Sequence, residues 1–136
     1  MEHAAQLDWG MDPAKVDFRD HPRRSEDVRG NFFFVDVEFP KAGVPLFTHT
    51  HPYGHVSRAT LGRVAIKCGD EVHILDASNP FARSVVVPPE VEHSAIGLDD
   101  GACMTCTHQL RDDDGKLYPF EYRLTTAEVM SATGRA

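Results

Sequence analysis

The chain is short of cysteine, of positive charge and of long apolar runs, and each shortage removes a class of protein. Three cysteines in 136 residues are an odd number that cannot pair fully within one chain, which excludes a disulfide-stapled scaffold and leads us to expect a reducing compartment. No stretch approaches the ~20 consecutive apolar residues of a membrane helix. The first ten residues, MEHAAQLDWG, have neither the basic start nor the apolar run of a secretory leader. Cytoplasmic localisation, without a membrane partner, is the resulting expectation. Lys and Arg number 14 against 21 Asp and Glu, for a net charge of −7. The closest basic cluster, Arg23-Arg24, stands beside Glu26 and Asp27, so no surface for tracking phosphates is expected and nucleic acid is set aside as a partner. What remains is a chain with 41% hydrophobic and 26% charged residues, long enough to bury its own core as one domain.

Punctuation by glycine and proline sets the organisation. Residues 1–30 read as a polar N-terminal arm in which Asp12-Pro13 caps and begins one short helical turn. From residue 31 to 125 the pattern is one of short strands: FFFVDVEF, LFTHTH, HVSRATL, RVAIKC, EVHILD, RSVVV, VEHSAIGL and ACMTCTHQL. Pro40, Gly43, Gly62, Gly69-Asp70, Asn79-Pro80, Pro88-Pro89 and Asp100-Gly101 separate them. Eight short strands at this spacing predict an all-β sandwich or barrel. The run Asp112-Asp113-Asp114-Gly115 lacks the alternating ligands and terminal glutamate of a calcium loop and reads as a solvated hairpin turn. Residues 126–136 form a tail, with TTAEVMSA as a short helix capped by Thr125 or Thr126.

Histidine is the abundant exception, at eight residues. His49 and His51 are two apart, so in a strand both side chains face the same side at a spacing of roughly 6.6 Å and can reach one ion. Pro52-Tyr53-Gly54 allows the chain to turn and bring His55 back on a neighbouring strand. His93 follows Pro88-Pro89 and would supply a fourth nitrogen from a distant strand. Imidazoles converging in this way make a divalent transition-metal site. His3, His21 and His73 are isolated and read as solvated.

The stretch GVPLFTHTHPYGHVSRATLG resembles the first signature of the cupin superfamily, G(X)5HXH(X)3,4E(X)6G, with Gly43, His49, His51 and Gly62 in register. PPEVEH, from Pro88 to His93, resembles the second cupin pattern, PxGxxH. The resemblance implies a single-domain cupin-like β-barrel, a double-stranded β-helix or jelly roll. It also implies one divalent metal ion, without choosing among iron, zinc and nickel. Two positions depart from the pattern. Position 55, glutamate in the signature, is histidine, so an ion held by His49, His51, His55 and His93 would keep its full charge and favour anionic or enolisable ligands. Position 90, glycine in the pattern, is glutamate, which suggests a different turn there.

If the ligands face inward, strand periodicity makes Phe47, Ser57, Ala59, Leu61, Val91 and Ala95 the pocket lining and turns Arg58 outward. Such a pocket is small and apolar. Cys103 and Cys106, three apart in a strand, should face opposite sides and behave as small apolar residues rather than as a redox pair. His108 reads first as an ordinary strand histidine and second as an acid-base candidate, alongside Tyr53 and Glu90. The leading function is a metal-dependent enzyme acting on a small, largely apolar, carbonyl-bearing or enolisable molecule, and resemblance to cupins makes a dioxygenase the first subclass. A non-redox zinc or nickel cyclase, isomerase or lyase is the alternative, and a non-catalytic small-molecule or metal-binding module the third reading. A homodimer paired through edge strands is implied by the same resemblance, with the FFFVDVEF strand and the N-terminal arm as its surface.

Overall fold

The computed structural model describes residues 7–49 and 54–116, with backbone alone for 47–49. His3, His51, Tyr53 and the TTAEVMSA helix lie outside the described residues. Two 3-10 turns, Pro13–Lys15 and Phe18–Asp20, open the chain, the first capped by the Asp12 side chain accepting from the Ala14 amide. Nine strands follow: β1 (Arg23–Arg29), β2 (Phe32–Phe39), β3 (Pro45–His49), β4 (His55–Leu61), β5 (Arg63–Cys68), β6 (Glu71–Asp76), β7 (Ser84–Val87), β8 (His93–Gly97) and β9 (Ala102–Gln109). All eight sequence-predicted strands are present.

The strands form two antiparallel sheets, one ordered β1-β2-β9-β4-β7 and the other β3-β8-β5-β6. From β2 to β5 each strand lies in the opposite sheet to the one before it, and from β6 to β9 the same alternation returns. This makes the all-β sandwich a cupin-like jelly roll. The core lies between the sheets because β-branched and aromatic residues alternate with polar ones. In β2, Phe33, Val35, Val37 and Phe39 are buried, while Asp36 and Glu38 are exposed. Residues 112–116 turn as expected, the Asp112 carboxylate accepting from the Asp114 and Lys116 amides.

Four expectations need correction. The arm is not an arm throughout, since β1 begins at Arg23 and pairs along its full length with β2. Its sequence, RRSEDVR, carries too many charges to register as strand, yet that charge is what protects an edge from adding further strands. FFFVDVEF is consequently an interior strand, flanked by β1 and β9, and cannot be the edge of a dimer. His55 returns on the facing sheet rather than on a neighbouring strand, because β3 and β4 belong to different sheets. The turn at position 90 is also less altered than its residue suggests. Glu90 keeps a φ of 63°, the left-handed backbone a glycine would supply.

Candidate functional site

The jelly roll brings histidines from both sheets to one end of the core. In the five-stranded sheet, Val56 pairs with Thr107, which places the preceding His55 beside His108 on the inner face, and His108 in turn pairs with Phe33. In the other sheet, His93 opens β8, and its backbone partner is His49. His55, His93 and His108 are all buried. The His55 ring lies 4.8 Å from that of His93 and 6.0 Å from that of His108, measured between centroids. Phe33 stacks on His108 at 4.9 Å with a 21° tilt.

Local contacts settle the chemistry of two of these rings. His93 Nδ1 lies 3.1 Å from the Val91 carbonyl oxygen, which only accepts, so Nδ1 carries the proton and Nε2 is the lone-pair nitrogen. A backbone carbonyl holding the remote nitrogen in this way is the usual support of a metal-binding histidine. Burial lowers the pKa of His108 from the ordinary 6.5 to about 4, so its ring is neutral at physiological pH. Neutral imidazoles are the form that binds first-row transition metals. The donor chemistry of the cluster therefore fits a divalent ion. Among the described residues, no group of three or more His, Cys, Asp or Glu closes tightly enough to hold one. The remaining expected ligands are His49, described by its backbone alone, and His51.

The pocket around the rings has a volume of about 20 Å³, room for one water-sized body. Of the six residues expected to line it, Ser57 and Ala95 are among its walls. Ala59 is fully buried but packs into the core, and Val91 packs against the core without lining the pocket. Leu61 is 61% exposed. The alternation that should have turned it inward is broken by a bulge, for β4 advances two residues from Ala59 to Leu61 while β9 advances one, from Met104 to Cys103. Phe47 has no described side chain. Glu90 is exposed and does not line the pocket. Arg58 points outward, as periodicity predicts.

The cysteines diverge as expected. Cys106 lines the pocket, 3.2 Å from the Ser57 hydroxyl, and burial pushes its thiol pKa up. Cys103 faces the other side, its thiol donating to the Gly101 carbonyl. His73 sits outside the site beside Glu71, and His21 Nε2 contacts the Val16 carbonyl oxygen.

Sequence reasoning missed Arg24, which lines the pocket from β1. Its register partner is Val37, an inward residue, so Arg24, Glu26 and Val28 share the inner face of the edge strand. A period-two reading of RRSEDVR would have revealed this phase, but five charged residues in seven hid the strand itself.

No protein-family model matches the chain, and no curated protein matches it in sequence. Solved structures do. The chain is similar to KdgF from Halomonas sp., with a TM-score of 0.58 and 18% identity over 73% of this chain and 87% of that one. It is similar to an RmlC-like cupin from Shewanella frigidimarina, with a TM-score of 0.55 and 20% identity over 80% and 94% of the two chains. A cupin 2 domain-containing protein from Halorhodospira halophila gives 0.57 and 15% over 89% and 82%. The fold is thus that of the cupins. No helix among the described residues is long and apolar enough to cross a membrane.

Proposed function

We propose that the protein is a metal-dependent enzyme of cupin type that acts on a small, largely apolar, carbonyl-bearing or enolisable molecule, with His49, His51, His55 and His93 as the metal ligands. The observation that carries this reading is the meeting of buried histidine rings from both sheets in a largely apolar pocket. Placing three imidazoles where a core would take apolar side chains costs desolvation, and a functional site at that end would account for the placement. A bound divalent ion would supply Lewis acidity, and iron would add dioxygen chemistry.

The chain's own residues do the rest. Val91 fixes the His93 ring so that Nε2 is the lone-pair nitrogen. Val35, Val37, Leu46, Ile66 and Met104 exclude water from the ligand's apolar part, which strengthens every polar contact made inside. His108, neutral near pH 7, serves as a hydrogen-bonding partner to the ligand. Its lowered pKa makes it a weak proton acceptor, because a general base works best with a pKa near the operating pH. Tyr53 and Glu90 remain acid-base candidates on sequence grounds alone. A dioxygenase is the first subclass, resting on the resemblance of the two histidine motifs to those of cupins, and a non-redox zinc or nickel cyclase, isomerase or lyase is the alternative. The narrowness of the pocket favours, as a second reading, a module that binds a metal or small molecule without turning it over.

Elemental analysis of anaerobically purified protein, beside a His55→Ala/His93→Ala variant, tests the assignment. We expect a near-stoichiometric first-row metal that the double variant loses. Iron directs substrate screening to oxygen consumption, zinc or nickel moves the Lewis-acid reaction to the front, and equal metal content in the two proteins removes the ligand assignment.

A further inference from the structure

The histidine rings lie on the inner side of β8, and the outer side of the four-stranded sheet carries a groove of about 390 Å³, within the size range of small-molecule sites. Strand phase decides which side chains face it. In β5, Ile66 and Cys68 belong to the core, so Lys67 between them turns outward, and its register partner in β8 is Ser94. Ser94 also borders the inner pocket, a contact that the alternation assigns to its backbone. Glu92 stands two residues before Ser94, and its carbonyl accepts from the Gly69 amide at the turn into β6, where Asp70 follows. Trp9 closes the groove from the N-terminal segment, on a turn in which the Asp8 carboxylate accepts from the Gly10 amide.

Two observations set this groove apart from ordinary surface. Ser94 is only 4% exposed, and its hydroxyl has no hydrogen-bond partner among the described residues, although buried hydroxyls are ordinarily paired. Lys67, Asp70 and Glu92 line the same groove, yet no ion pair among the described residues joins Lys67 to either carboxylate. Opposite charges are thus held apart along one wall. An ammonium and a hydroxyl share the Lys67–Ser94 row, and the carboxylates stand at the Glu92 end, two residues or roughly 6.6 Å away along the strand direction. A purely cationic ligand would meet Lys67, and a purely anionic one would meet Asp70 and Glu92. A zwitterion satisfies both ends.

We infer that the groove binds a free α-amino acid, its carboxylate on Lys67 and the Ser94 hydroxyl, its ammonium toward Glu92 and Asp70, and its side chain against the Trp9 indole. An α-amino acid carries its two charges on either side of one carbon, and a hydrogen bond of about 2.8 Å at each end carries it across the span between the rows. A peptide separates the same two charges along its chain, so the short span selects the free amino acid. The indole offers a rigid apolar face at small entropic cost. This goes beyond the metal-dependent reading and does not rest on it, because the His93 ring turns to the other side of the sheet, toward His55.

Trp9 is the one tryptophan of the chain, so its fluorescence reports on the groove. The test titrates the non-aromatic common α-amino acids against this signal, and the tightest binder is then compared with its primary amide and its N-acetyl derivative. The proteins are wild type, Lys67→Met, Glu92→Gln and Ser94→Ala. Wild type should lose about tenfold in affinity for the amide, which lacks the carboxylate, and about threefold for the N-acetyl form, whose lost partners are the more exposed Asp70 and Glu92. Lys67→Met should abolish the preference for acid over amide and keep the preference for free amine over N-acetyl, while Glu92→Gln should weaken the second preference and keep the first. Ser94→Ala should bind the acid about fivefold more weakly. A merely structural role for these residues would weaken all three ligands alike. That result, equal affinity of wild type for acid and amide, or no saturable response to any of the amino acids overturns the site.

Discussion

The two ends of the sandwich are built from the same strands and packed in opposite ways. At one end the Phe39 side chain is fully buried and lies so close to Gly97 that a Cβ there would come within 2.5 Å of the Phe39 Cβ. A large ring seated against a glycine closes that end by shape. At the other end Phe33 occupies the same inward phase of β2 but stacks on His108, and His55 and His93 fill what would otherwise be core. Inward position alone does not make a residue part of a core. The closed end gains stability from apolar contact, while the histidine end accepts desolvated imidazoles and keeps a small space.

The largest way to break this contrast is to empty the closed end. Phe39→Ala should cost about 3–5 kcal/mol, as full burial of a large aromatic implies, and chemical denaturation would measure it. A cost below about 1 kcal/mol would mean that the ring is not the plug.

The histidine end should instead show itself in pH. His108 has a pKa of about 4 when folded against an ordinary 6.5, so between those values the unfolded chain takes up a proton that the folded one does not. Its influence on stability is neutral above pH 6.5 and becomes progressively unfavourable toward pH 4. The full penalty is roughly 3 kcal/mol. Denaturation of metal-free protein across this range should show the loss, and His108→Leu should flatten it. An unchanged slope in the variant would remove His108 as the cause.

The smallest effect sharpens the comparison at the loop before β8. Glu90 adopts a backbone favoured by glycine, so Glu90→Gly should stabilise the fold by about 0.5–1 kcal/mol, the relief of left-handed strain less the added freedom of the unfolded chain. Metal content should stay the same if Glu90 serves only the turn. A loss of activity without loss of metal would restore its candidacy as an acid-base group.

Much of the fold was legible because it rests on local rules. Alternation in FFFVDVEF and HVSRATL, and the glycines and prolines between strands, located eight of the nine strands. β1 was missed because charge dominates an edge strand, and Arg24 was missed with it. Leu61 was misplaced because periodicity carries no information about a bulge, which depends on how β4 meets β9. His108 was ranked as an ordinary strand residue because nothing in ACMTCTHQL reports that its neighbour across the sheet is His55.

The sequence by itself determined eight of the nine strands, the divergence of Cys103 and Cys106, and the histidines in register with two cupin-like patterns, since each depends on spacing along one strand or turn. Tertiary structure alone decided that β3 and β4 lie in facing sheets, that His108 joins His55 and His93, and that an arginine on the edge strand faces the same pocket. These depend on strand pairing between residues as far apart as Arg24, His55 and His108. Such pairings reflect how the alternating strands close their apolar faces against one another, a property of the whole chain that no single segment encodes.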